Sequence, residues 1–168
     1  MVEDKDPNLG VSLWDYLEPL VYFRKVALIN PISSFVIQNK ALMALITQLG
    51  AEFFEKDSLT VGSHFLPTYI NESKIKTPFA SKPIWGREGK EIKIFNTKGE
   101  TIYNPSEDYS SLPKVDQKYV DLPKVALEEE RYTLRISCFL INGIAMSVTA
   151  RVGEQIINNT SKFLSIEY

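Results

Sequence analysis

The sequence predicts an α+β domain in which one or two N-terminal helices pack on a mainly antiparallel β-sheet, with long extended loops or arms. Three observations predict it. The first third carries an apolar stripe at helical spacing. The last third carries an Asn-Gly turn between two long β-type runs. Short β-type runs broken by proline and glycine lie between them.

Residues 1–10 are polar, contain Pro7 and Gly10, and read as a mobile end; 11–168 read as a single domain. Ser12 followed three positions on by Asp15 resembles a capping box and starts a helix at Leu13, which Pro19 then kinks or ends. Residues 20–29 are apolar apart from Arg24 and Lys25 and lean to helix. Ser34 is a good N-cap for the strongest helix, whose stripe is Leu42, Ile46, Leu49 and Phe53, widened by Val36 and Met43. Gly50 either ends this core helix or is tolerated within it as far as Lys56.

After Asp57 the pattern turns to β-type runs. Residues 91–95 and 100–103 flank 96–99 as a hairpin. Two stretches, about 66–90 and 104–130, are proline-rich and extended, the second with an internal echo in which Leu112-Pro113-Lys114-Val115 returns as Leu122-Pro123-Lys124-Val125. The second stretch reads as an arm rather than a packed element. Around Asn142-Gly143, a two-residue loop pairs Leu134 with Arg151 and mixes polar with apolar faces. A three-residue loop, Ile141-Asn142-Gly143, pairs Leu140 with Ile144, Cys138 with Met146, Ile136 with Val148 and Leu134 with Ala150, making one face wholly apolar, so the sequence favours the longer loop. The type of the element at 154–168 stays open.

Composition narrows function. With 44% hydrophobic and 11% aromatic residues the chain has the material for a core and is not disordered. One cysteine rules out an intramolecular disulfide and fits a cytoplasmic setting; the acidic N-terminus lacks a leader pattern, and no apolar run reaches the length of a membrane span. A single His64 and a single Cys138 leave too few ligands for zinc, and no phosphate-cradling glycine loop occurs, so neither metal nor cofactor is predicted. His64 reads as a surface residue without a nucleophile to serve, and Cys138 as a core thiol on the apolar hairpin face. Glu128, Glu129 and Glu130 read as a solvated charge run, with a carboxylate-dependent hydrolase using Glu128 and Glu130 as the weakest functional alternative.

The net charge of −2 hides strong blocks: 1–73 holds 9 acids and 5 bases, 74–98 holds 2 and 7, 99–130 holds 8 and 3, and 131–168 holds 2 and 4. In the basic block Lys74, Lys76, Lys82, Arg87, Lys90, Lys93 and Lys98 alternate with Trp85 and Phe95. Together with Arg135 and Arg151, diagonal neighbours on the polar hairpin face, this is the composition of a single-stranded nucleic-acid groove. The two extended stretches carry Phe79, Ile84, Trp85, Tyr109, Tyr119 and Val120, anchors that a partner subunit could bury. The reading this favours is a non-catalytic structural or interaction protein, a homo-oligomer or subunit of a larger assembly such as a viral or phage particle. Nucleic-acid binding through 74–98 is its alternative.

Overall fold

The computed structural model describes residues 5–30, 32–70, 74–98, 100–105 and 109–166. It is α+β, with a few helices and two antiparallel sheets, and it divides into two compact units, Met1–Ile37 and Gln38–Tyr168.

In the first unit, α1 (Leu13–Tyr22) begins where the capping signal lies: the Ser12 hydroxyl accepts from Trp14 N at 3.2 Å, a cap contributing about 1 kcal/mol. Pro19 neither ends nor splits this helix. It sits inside it, and the chain leaves helix after Tyr22, with Phe23 N donating to Pro19 O and Arg24 in the left-handed region at φ 57°. Residues 23–29 therefore do not continue as helix. Lys5 and Ser12 form a β-bridge that closes the turn over 6–11.

The single long helix expected after Ser34 is broken. α2 (Phe35–Gln38) stops at Asn39, and α3 (Ala41–Leu49) starts afresh because the Asn39 side chain accepts from Ala41 N at 2.8 Å and offers the backbone a new cap. Gly50, at φ 76°, ends α3, and a 3₁₀ segment (Ala51–Asp57) leads into α4 (Ser58–His64), a helix where strand was expected. Only Ala44 of α3 is buried, and Phe53 is 63% exposed, so the stripe makes a shallower core than its spacing suggests.

The first sheet has strand order β1 (Thr68–Tyr69), β5 (Lys114–Lys118), β2 (Phe79–Pro83), β3 (Ile92–Phe95) and β4 (Thr101–Asn104). The β3–β4 hairpin is the one the sequence predicts. Within the stretches 66–90 and 104–130, of which 71–73 and 106–108 lie outside the described residues, strands form rather than a free arm: β5 inserts between β1 and β2, and β6 (Lys124–Leu127) edges the second sheet. Ala80, Ile94 and Ile156 form the buried core, with Ile92, Ile102 and Tyr119 packed around them. Ile156 follows β8, so this cluster fastens the second sheet to the first.

The second sheet runs β6, β7 (Glu130–Ile141), β8 (Ile144–Gly153) and β9 (Lys162–Leu164). Its central hairpin departs from the predicted register. Asn142 and Gly143 both have positive φ, 52° and 76°, forming the two-residue loop whose twist suits a hairpin, with Ile141 opposite Ile144 and Leu140 opposite Ala145. A bulge at Met146 then shifts the ladder, giving Cys138 opposite Val148, Ile136 opposite Ala150 and Leu134 opposite Val152. The extra residue restores the segregation of apolar from polar side chains that an unbulged two-residue loop would have lost. Arg135 and Arg151 consequently stand directly opposite one another rather than diagonally. Cys138 is exposed and not a core thiol, because the distal half of the apolar face, with Ile136, Leu140 and Met146 each 59–67% exposed, is left uncovered. Among the described residues no helix is long and apolar enough to cross a membrane.

Candidate functional site

In a strand, alternate residues share a face, and the register of β2 therefore fixes where Lys82 points. Lys82 pairs with Val115 and Ala80 with Gln117, so the lysine stands on the core side with Ala80, Val115, Gln117 and, through β1, Thr68. A lysine in such a position must find a partner or shed its proton. Lys82 Nζ donates to Gln117 Oε1 at 2.7 Å. The Gln117 amide nitrogen in turn donates to Thr68 Oγ1 at 3.0 Å and approaches Met43 Sδ at 3.3 Å, while Thr68 Oγ1 donates to Leu66 O at 2.9 Å. Thr68 N donates to Thr47 Oγ1 at 3.0 Å, tying this chain to α3. Gln117 is thus held at both ends, and its carbonyl has a fixed aim.

Two further cations act on Lys82. Lys40, at the break between α2 and α3, is strapped to the turn after β2: its backbone N donates to Ile84 O at 2.9 Å and its Nζ to Gly86 O at 2.5 Å. Arg135 stands on β7 of the second sheet. Burial, and then the charges of Lys40 and Arg135, bring the Lys82 pKa down to about 8; burial lowers that of Lys40 as well. Among the described residues none of Lys40, Lys82 and Arg135 pairs with a carboxylate. Beside Arg135 lies Arg151, whose Nη2 donates to Asn158 O at 2.6 Å and whose guanidinium lies 5.0 Å from the Phe163 ring centroid. Its buried Nε has no hydrogen-bond partner among the described residues. The site is rich in donors and short of acceptors.

A second polar cluster, near the start of β3, is closed. Glu91 is buried and takes Lys114 Nζ at 3.1 Å and the Tyr103 hydroxyl. The hydrogen bond to Glu91, ahead of desolvation and of the Glu91 charge, raises the Tyr103 pKa.

The other residues singled out in the sequence do not assemble. Lys93 lies on the opposite face of the sheet from Lys82, 4.8 Å from the Tyr103 ring centroid. Phe95 stacks on Phe79 at 4.6 Å and offers no free ring face there; Lys74, Lys76, Arg87 and Lys98 are exposed, and Lys90 pairs with Glu88 at 3.6 Å. The basic block is thus divided between two faces and several turns, which is not the continuous track a nucleic-acid strand needs. Of the partner anchors, Tyr109 is buried and Tyr119 packs on the core, Ile84 and Phe79 are half-buried, and Trp85 and Val120 stay exposed. Glu128 to Glu130 occupy the β6–β7 turn, where the Tyr132 hydroxyl donates to Glu130 at 2.5 Å. Exposed His64 closes α4, with Nδ1 2.8 Å from Ser63 Oγ.

Sequence reasoning marked Lys82 as one lysine of the basic block and passed over Lys40, Thr68 and Gln117. One signal was present: in the alternating run 79–83 the lysine shares its parity with Ala80, the apolar side of the strand.

In comparison with protein families, the model described as glutathionylspermidine synthase preATP-grasp fits residues 12–167. This corrects three expectations together. The match is to an enzyme family, so a non-catalytic structural subunit is the wrong class, as is a component of a viral or phage particle. Nor does it name a nucleic-acid-binding module or a hydrolase.

Proposed function

The chain belongs to the glutathionylspermidine synthase preATP-grasp family, and from that premise we propose that it serves as the substrate-side domain of an ATP-dependent ligase joining a peptide carboxyl group to a polyamine. The observation that carries the reading is the extent of the match, residues 12–167, which takes in both sheets and the helices of the described residues rather than a local motif. Lys82 on the inner face of β2 and Lys40, strapped to the turn after it, support it, since a ligation of this kind handles anionic groups throughout.

Calorimetric titration of the chain with glutathione and, separately, with spermidine tests the proposal. Saturable binding of at least one is the expected result; heats of dilution alone from both would refute it. Self-association belongs to the same reading, supported by exposed Trp85 and Val120, and light scattering over a concentration series checks it. A constant monomer mass would remove that part. The single cysteine fits a cytoplasmic setting.

A further inference from the structure

We propose that the uncovered half of the apolar face on the β7–β8 hairpin is where two copies of this chain pair, about a twofold axis through the row of Cys138 and Val148. Neighbouring strands cover only the base of this hairpin. β6 reaches no further along β7 than Thr133, and β9 covers only Ala150 to Val152 of β8. From there to the turn, among the described residues, the hairpin is a two-stranded ribbon with both edges open, a form that is marginal in water by itself.

Its composition is that of a contact and not of a free edge. Residues 136–150 hold no charged side chain and no proline, the devices that keep exposed strands from pairing. Alternation puts Ile136, Cys138 and Leu140 on one face, opposite Ala150, Val148 and Ala145, and turns Arg135 and Arg151 to the other. That face runs on from the buried base, where Ala150 is 6% and Val152 2% exposed, to Ile136 and Leu140 at 63% and 67%. Its area fits a second copy. Ile136, Leu140 and Met146, with Ile141 and Ile144 at the rim, are each more than half exposed. At about 100 Å² apiece they offer roughly 500 Å² per copy and about 1,000 Å² for two, the size from which an interface is specific. A charged partner has nothing to recognise here, whereas an uncharged patch is complementary to itself. A twofold axis through its middle row lays each patch on its own image with no like charges meeting. The inference deepens the self-association reading above by naming its face, and it does not depend on the ligase reading.

The test is light scattering of the full chain over a concentration series, in wild type, Leu140→Asp and Phe139→Ser, together with cross-linking of wild type by a short bismaleimide. Wild type should pass from monomer to dimer mass. Leu140→Asp should weaken pairing about tenfold or more, and Phe139→Ser, on the opposite face, by less than about threefold. Because the chain has one cysteine, a linked dimer joins Cys138 to Cys138; native protein should give it, and urea-unfolded protein at the same concentration should not. Should Leu140→Asp fail to fold by circular dichroism, the cross-link decides alone, and its absence from native wild type overturns the proposal. A constant monomer mass overturns this face and self-association together. A dimer that ignores Leu140→Asp, or that responds more to Phe139→Ser, overturns this face and leaves self-association through another surface standing. The ligase reading is decided separately, by the titrations with glutathione and spermidine.

Discussion

Replacing Lys82 by methionine should make the protein more stable at neutral pH and less stable at high pH. In the unfolded chain the lysine titrates near 10.5, whereas in the fold burial, Lys40 and Arg135 hold it at about 8. Between those values the folded state binds fewer protons than the unfolded state, so the wild type gains stability as pH rises. The cost of keeping Lys82 charged is fully present below pH 8, fades between 8 and 10.5, and is absent above. Its ceiling is about 3 kcal/mol, which partial access to solvent reduces to about 2.

Methionine has a similar length and no charge, so it removes this cost. It also leaves Gln117 Oε1 without its donor, a loss of about 1 kcal/mol at every pH. The variant should therefore be about 1 kcal/mol more stable than wild type at pH 7 and about 1 kcal/mol less stable at pH 10.5. Urea denaturation of both proteins at both pH values measures it, provided the slopes agree. A stability difference that stays the same, within about 0.5 kcal/mol, at pH 7 and 10.5 would refute the reasoning, because the cost would then not depend on the lysine's charge.

Two other outcomes follow from the geometry. Gly89 sits at φ 70°, and a Cβ there would stand 2.6 Å from Ile157 O and 2.8 Å from Ile156 Cγ2, so Gly89→Ala should cost about 2 kcal/mol or more in urea denaturation; a loss under about 0.5 kcal/mol would mean that the 156–157 segment moves freely away from the turn. Tyr103 should ionise above the ordinary tyrosine range and return toward it in Glu91→Gln, followed by ultraviolet absorbance titration, since the hydrogen bond to Glu91 is the first cause of its shift; an unchanged titration would exclude that cause.

Local chemistry made part of this fold legible. Ser12 capped the helix it was expected to cap, Asn142-Gly143 turned the hairpin, and 91–103 paired as read. What escaped was set by distant partners. Nothing near Asn142 encodes the bulge at Met146, whose value appears only when the far end of the hairpin must keep its apolar face inward. Residues 114–118 read as an arm because proline on either side obscures a short strand, and their place between β1 and β2 depends on pairings across 31 residues or more. The Asn39–Lys40 break was outweighed by a continuous apolar stripe. For the site, composition grouped Lys82 with Lys93, which the pleat sends to the other face, while its partner Gln117 and the Thr68 behind it come from strands distant in sequence. Neither of the common phosphate loops is there, and the family match runs over residues 12–167 rather than resting on a short motif the sequence reading named.

The bulge at Met146 also determines how this hairpin can change length. Met146 is the one residue of β8 with no opposite number on β7, so removing it would leave every pair from Phe139–Ser147 back to Thr133–Gly153 with the partner it has now, and would leave Ile141–Ile144 and Leu140–Ala145 paired as well. Loss of any single paired residue from the body of β8 would instead exchange inner and outer faces on one side of the cut, turning Val152 or Ala150 toward the polar side. Inherited insertions and deletions in β8 are therefore constrained by parity: odd changes are admissible at Met146 and forbidden a few residues further on, so variation in hairpin length among relatives should collect at its tip while the arginine pair keeps its register.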